Sequence, residues 1–125
     1  MLFKDLYIKE EKLLNNNGST ITTKVKLNKD HPIYNGHFPN NPITPGVIII
    51  QIIKEIVEEY LDDLFFLKKI INVKYISPIN PTIHNLLIIE IYIQKEKDSI
   101  IVKSLIKFNN LDTAVKFRGI FIKKL

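Results

Sequence analysis

Gly36-His37-Phe38-Pro39-Asn40-Asn41-Pro42-Ile43-Thr44-Pro45-Gly46-Val47 is the stretch on which the reading of this chain turns. Regular periodicity fails from Asn28 to Pro45, and four of the six prolines lie there: Pro32, Pro39, Pro42 and Pro45. A loop that long in a small domain is usually functional or disordered. Ile33, Tyr34, Phe38 and Ile43 argue against disorder, because they are apolar and need cover. A helix is expected to follow from Pro45 to Leu61. Thr44 suits its N-cap and Pro45 its first turn. The first half is apolar on nearly every side, so it should be buried. Glu55, Glu58, Glu59, Asp62 and Asp63 mark a second half that emerges into water, with acidic charge opposing the helix dipole.

Outward from that centre the chain reads as strands. Leu6 to Asn15 is one, ended by the turn signal Asn15-Asn16-Asn17-Gly18. In Ser19 to Leu27, apolar Ile21, Val25 and Leu27 alternate with Thr22, Lys24 and Lys26, the period of a half-buried strand. Beyond the helix come Phe65 to Ser77, Asn85 to Gln94, Ser99 to Asn109 and Thr113 to Lys124. Pro78-Ile79-Asn80-Pro81 breaks the first pair, and Lys95 to Asp98 and Asn109 to Asp112 read as hairpin turns. The order is strand, strand, long loop, buried helix, four strands. One helix covered by a curved antiparallel sheet accounts for it, an α+β layout in a single domain, 1–125.

Composition narrows the chemistry. The 125 residues contain no cysteine, which excludes disulfides, cysteine nucleophiles and zinc–thiolate sites. The three histidines lack metal-ligand spacing, so no metal is expected. Four glycines make no phosphate-cradling loop. The longest apolar run is too short for a membrane span, and the charged N-terminus does not resemble a secretory signal. A cytoplasmic protein is the expectation. The net charge of +5 comes from basic residues scattered singly among strands. That pattern serves solubility or attracts an acidic partner, and it does not suggest nucleic-acid binding.

The quoted stretch resembles the motif GHFPxxPxxPGV of the FabZ/FabA-type 3-hydroxyacyl-acyl-carrier-protein dehydratases, a family with the hot-dog fold: a long central helix wrapped by a curved antiparallel sheet. The element order fits that fold over essentially the whole chain. Val73-Lys74-Tyr75 and Ser77-Pro78-Ile79-Asn80-Pro81 resemble the family's next strand and its proline-bounded turn. Thr82-Ile83 stands where the family has Gly-Asp.

The resemblance implies that His37 is the base that removes the proton beside the thioester carbonyl. An imidazole of near-neutral pKa suits that step. It implies that the amide of Gly46, at the positive end of the helix dipole, donates to the enolate oxygen. Phe38, Pro39, Pro45 and Val47 would line the substrate, with Phe38, Pro39 and Pro42 stiffening the loop. The family also places a Glu or Asp on the helix to help the hydroxyl leave, and that acid serves the partner subunit, so a dimer is required. Here the acid's position holds Gln51, which cannot supply a proton. Glu55 lies one turn on, on the same face. Family members with Glu at the first position often carry Gln at the second, as if the two were exchanged. Glu55 then either serves as the acid or polarises Gln51. Gln51 as a core polar residue satisfied by backbone is a competing reading. His31 and His84 read as structural, and Tyr34 as either a cleft-lining or a packing residue.

Three functions follow for comparison. One is a lyase converting 3-hydroxyacyl-acyl-carrier protein to the trans-2-enoyl product, for fatty-acid or polyene and pigment synthesis. It would take its substrate on phosphopantetheine and need no dissociable cofactor. Another is a catalytically impaired subunit that pairs with an active hot-dog homologue as a heterodimer. The third, an acyl thioesterase, fits the motif loop least.

Overall fold

The computed structural model describes residues 3–14, 19–35 and 42–125. The Asn15–Gly18 turn and the motif residues Gly36, His37, Phe38 and Pro39 lie outside the described residues.

Six strands and one long helix make up the structure: β1 (Tyr7–Leu14), β2 (Thr20–Leu27), α1 (Gly46–Leu61), β3 (Phe65–Tyr75), β4 (Leu86–Lys95), β5 (Ser99–Phe108) and β6 (Thr113–Lys123). A short 3-10 helix, Pro32–Tyr34, interrupts the long loop. The strands form one antiparallel sheet in the order β1-β2-β4-β5-β6-β3. The chain thus builds β1 and β2, runs α1 across the sheet, and starts β3 at the opposite edge.

Alternation sets which face each strand turns to the helix. Leu87, Ile89, Ile91 and Ile93 of β4 are buried, as are Ile100, Val102, Ile106 and Phe108 of β5. Ile21, Val25 and Leu27 do the same on β2. From α1, Ile48, Ile49, Ile52, Ile53, Ile56 and Val57 fill the space above this floor. Their spacing keeps them on one stripe. Each such side chain, removed from water, stabilises the fold by about 1.5–3 kcal/mol.

Two features of α1 differ from expectation. Thr44 does not cap it: Pro45 is the N-cap residue, without a side-chain bond, because the Thr44 hydroxyl is hydrogen-bonded to Tyr34. The apolar first half is also not buried all round, since Val47 is 73% exposed. The acidic C-terminal end is accommodated by specific contacts. Glu58 accepts from the backbone N–H of Phe65 at 2.9 Å and pairs with Lys54 at 3.2 Å. Asp62 ends the helix in the left-handed conformation, which Asp tolerates, and Asp63 pairs with Lys123 at 2.9 Å. Hydrogen bonds from Lys123 and the Leu64 amide hold the Asp63 carboxyl below its usual range.

β3 departs most from a half-buried strand. Phe65 is buried, but Phe66, Leu67, Ile70, Ile71 and Tyr75 are exposed. Among the described residues the strand pairs only with β6, through two register shifts, and lies at an edge of the sheet. Gly119 of β6 sits beside the second shift, where a Cβ would press on the Phe117 ring and the Lys69 carbonyl.

Candidate functional site

The described flanks of the motif loop are tied together. Tyr34, at the end of the 3-10 helix, is buried, and its hydroxyl meets Thr44 Oγ1 at 3.0 Å. Burial raises the Tyr34 phenol pKa, which keeps it protonated for that bond. Tyr34 is therefore a packing residue that joins the two sides of residues 36–41. The Thr44 amide donates to the Ile79 carbonyl at 2.9 Å, which docks the start of the helix on the proline-bounded turn. That turn has its own device in place of Gly-Asp. Asn80 Oδ1 accepts from the Thr82 amide at 2.9 Å, and the Asn80 carbonyl accepts from Ile83 and His84.

At the head of α1, the Ile48 and Ile49 amides return to the Pro45 carbonyl, and the N-cap residue Pro45 offers no side-chain bond. Amide N–H groups in a first turn lack intrahelical partners and sit at the positive end of the dipole. Gly46 leaves room for a neighbouring side chain. A Cβ on Gly46 would collide with the Tyr75 hydroxyl and ring. Tyr75 is 52% exposed, so this residue of β3 lies over the head of the helix with one side in water. The close neighbour of the Gly46 Cα within the protein is Tyr75.

One turn along, the two candidate polar residues meet. Gln51 Nε2 donates to Glu55 Oε2 at 3.0 Å, across the i, i+4 spacing. The other oxygen of the same carboxylate accepts from the Tyr7 hydroxyl at 2.7 Å. Gln51 is therefore satisfied by a side chain of its own helix, not by backbone as a core residue would be. Both Glu55 oxygens thus accept hydrogen bonds from side chains. The Tyr7 phenol is pushed far up, first by burial and then by its bond to Glu55 and the charges of Glu55 and Glu59.

Tyr7 and Glu55 line a cleft of about 780 Å³ between β1 and the C-terminal half of α1. Ile8 and Leu64 contribute apolar wall; Asp5, Glu58, Glu59, Asp62 and Asp63 make its rim acidic, with Lys9 ion-paired to Glu59. Of the expected site residues, the structure brings Gln51 and Glu55 together, places Gly46, Pro45 and Val47 at the head of the same helix, and leaves His37, Phe38 and Pro39 outside the described residues. Tyr7 was not anticipated. Forty-eight positions separate it from Glu55, and no local pattern links them.

The other two histidines have structural partners. His31 Nδ1 accepts from the Ile33 amide at 3.1 Å, so its Nε2–H donates to the Lys4 carbonyl at 3.0 Å. His84 stacks on Phe108 with ring centres 4.1 Å apart. No group of three or more His, Asp or Glu among the described residues is placed to hold a metal ion. No described helix is long and apolar enough to cross a membrane.

Comparison with known proteins agrees with this architecture. The fold is similar to that of the dehydratase heterocomplex ApeI:P from Xenorhabdus doucetiae, with a TM-score of 0.74, 20% identity, and coverage of 92% of this chain and 96% of that one. It is also similar to a thioesterase-like protein, yhdA from Lactococcus lactis, with a TM-score of 0.70 at 9% identity over 100% and 98% of the two chains. At such identities the likeness establishes the hot-dog fold. In sequence, an uncharacterized thioester dehydrase from Halalkalibacterium halodurans is 42% identical over 41 residues, which span 33% of this chain and 26% of that protein. The profile of the ApeI-like family, described as ApeI dehydratase, matches residues 13–117, from β1 into β6. With a family profile covering most of its length, the chain belongs to the ApeI-like dehydratase family.

Proposed function

We propose that the protein removes water from a 3-hydroxyacyl thioester carried on the phosphopantetheine of an acyl carrier protein, giving the trans-2-enoyl product. The observation that carries this reading is the Gln51–Glu55 pair on α1, in a chain of a dehydratase family. His37 takes the proton from the carbon beside the thioester carbonyl. The electron pair moves onto the carbonyl oxygen, where the Gly46 N–H stabilises it. Collapse of the enolate forms the carbon–carbon double bond and expels the 3-hydroxyl.

The leaving hydroxyl needs a proton. Gln51 has none to give, and Glu55 accepts hydrogen bonds on both oxygens. This favours Glu55 as the group that orients and polarises Gln51, with Gln51 holding the hydroxyl. The imidazolium of His37 then returns the proton it took, and water leaves with no net proton exchange. Val47 and Pro45, with Phe38 and Pro39, would flank the acyl chain. No dissociable cofactor is called for.

A hot-dog dimer is part of the proposal. β3 lies at an edge of the sheet and exposes Phe66, Leu67, Ile70 and Ile71, which fit a second hot-dog subunit. A second copy of the chain is the first reading. The replacement of the usual acid by Gln51 and the likeness to a dehydratase heterocomplex favour an alternative, in which this chain supports an active hot-dog partner. Thioesterase activity fits less well, because the Glu55 carboxylate is already engaged.

Mass-spectrometric turnover of a panel of 3-hydroxyacyl carrier proteins tests the reading. The expected result is enoyl product from wild type and a loss of roughly 10²–10⁴-fold in His37→Ala. A wild type inert at every chain length, but active after addition of a second hot-dog subunit, would move the function to the heterodimer.

A further inference from the structure

We infer that Tyr7 is a positioning residue for the Gln51–Glu55 pair, setting which atoms of the Gln51 amide face substrate. The inference rests on the dehydratase reading for its catalytic part, and on geometry alone for its structural part.

β1 and α1 meet along matched faces. Tyr7 reaches Glu55, and Lys9, two residues along the strand, pairs with Glu59, four along the helix. Tyr7 is 6% exposed, so its hydroxyl has exchanged water for the carboxylate. That bond fixes one Glu55 oxygen and leaves the other aimed at Gln51. A carboxylate that only accepts must be met by the Gln51 Nε2 side. The amide then has its carbonyl oxygen and its second N–H left for a substrate hydroxyl. Without Tyr7, the Glu55 oxygen that Tyr7 holds loses this donor, and the polarity of Gln51 is set less firmly.

The surroundings make this hold stronger. Asp5, Glu58, Glu59, Asp62 and Asp63 line the same cleft, where Lys9 pairs with Glu59. Burial, the bond to Glu55 and the charges of Glu55 and Glu59 disfavour ionisation of Tyr7, so the phenol stays a donor.

The test uses Tyr7→Phe, which keeps the ring, and Glu55→Gln, separately and combined. Turnover of the carrier-protein panel should show kcat reduced roughly tenfold in Tyr7→Phe with KM within about twofold. In the Glu55→Gln background the same change should cost less than about twofold, because the group it positions is gone. Equal losses in both backgrounds would overturn the positioning role. A second readout needs no turnover: carbon-13 NMR titration of the tyrosine ring. Tyr7 should stay protonated through the alkaline range in wild type, and Glu55→Gln should lower its pKa. An unchanged titration would overturn the contact itself. If that shift appears while wild type dehydrates nothing, the dehydratase reading fails and the hold of Tyr7 on Glu55 stands.

Discussion

Substituting Gln51→Glu places a second carboxyl 3.0 Å from an oxygen of Glu55. Two unit charges at that distance repel by roughly 5 kcal/mol at an effective dielectric of about 20. Both side chains are half-buried, and water reduces the figure to about 2 kcal/mol. A protonated carboxyl at position 51 avoids the repulsion and donates to Glu55 much as the Gln51 amide does. The folded state therefore keeps a proton that the unfolded chain gives up near pH 4.3. With more protons bound in the folded state, stability must fall as pH rises. Below about pH 4 the variant should match wild type. Through the window from about 4 toward neutrality it should lose about 2 kcal/mol, and then hold constant. Urea unfolding at intervals from pH 4 to 8 reads this as a midpoint falling by roughly 1 M against wild type. Parallel midpoints for the two proteins across that range would refute the Gln51–Glu55 contact. If the shared proton is present, the variant also gains a carboxylic acid, and turnover beside wild type shows whether the reaction uses it.

Two more substitutions address the frame of the site. Gly46→Ala must displace Tyr75, while helix propensity improves by about 1 kcal/mol; stability should change by less than about 1 kcal/mol, and in a Tyr75→Ala background the same change should stabilise by roughly 0.5–1 kcal/mol, measured by urea unfolding. Leu111 holds φ 77° in the β5–β6 turn, where its side chain is exposed, so Leu111→Gly should raise stability by up to about 1 kcal/mol, read as an upward shift in Tm.

Much of the fold was legible because burial writes itself into periodicity. β2, β4 and β5 alternate, and α1 carries a stripe, so their existence and buried faces could be read directly. β3 was placed as a strand but not as an edge, because its apolar residues lie on both faces and give no period. Thr44 misled for a different reason. A hydroxyl before a helix suits capping, but a buried tyrosine ten residues back competes for it, and sequence does not show that partner. At the candidate site, the i, i+4 relation of Gln51 and Glu55 was local and could be read. Tyr7 arrives through the sheet, after the chain has folded back on itself, and is invisible to any local pattern.

The isoleucine stripe of α1 has a consequence for how the molecule assembles. Five of its six buried residues are isoleucine and the sixth is valine. Side chains branched at Cβ weaken an isolated helix, and sixteen residues are marginal in water even for better formers. The helix therefore depends on the floor that β4, β5 and β6 provide through two short turns. The contact of Tyr7 with Glu55 depends in turn on β1 being held by β2 and on the helix being docked. A chain with its meander formed but α1 undocked would have a sheet and no site.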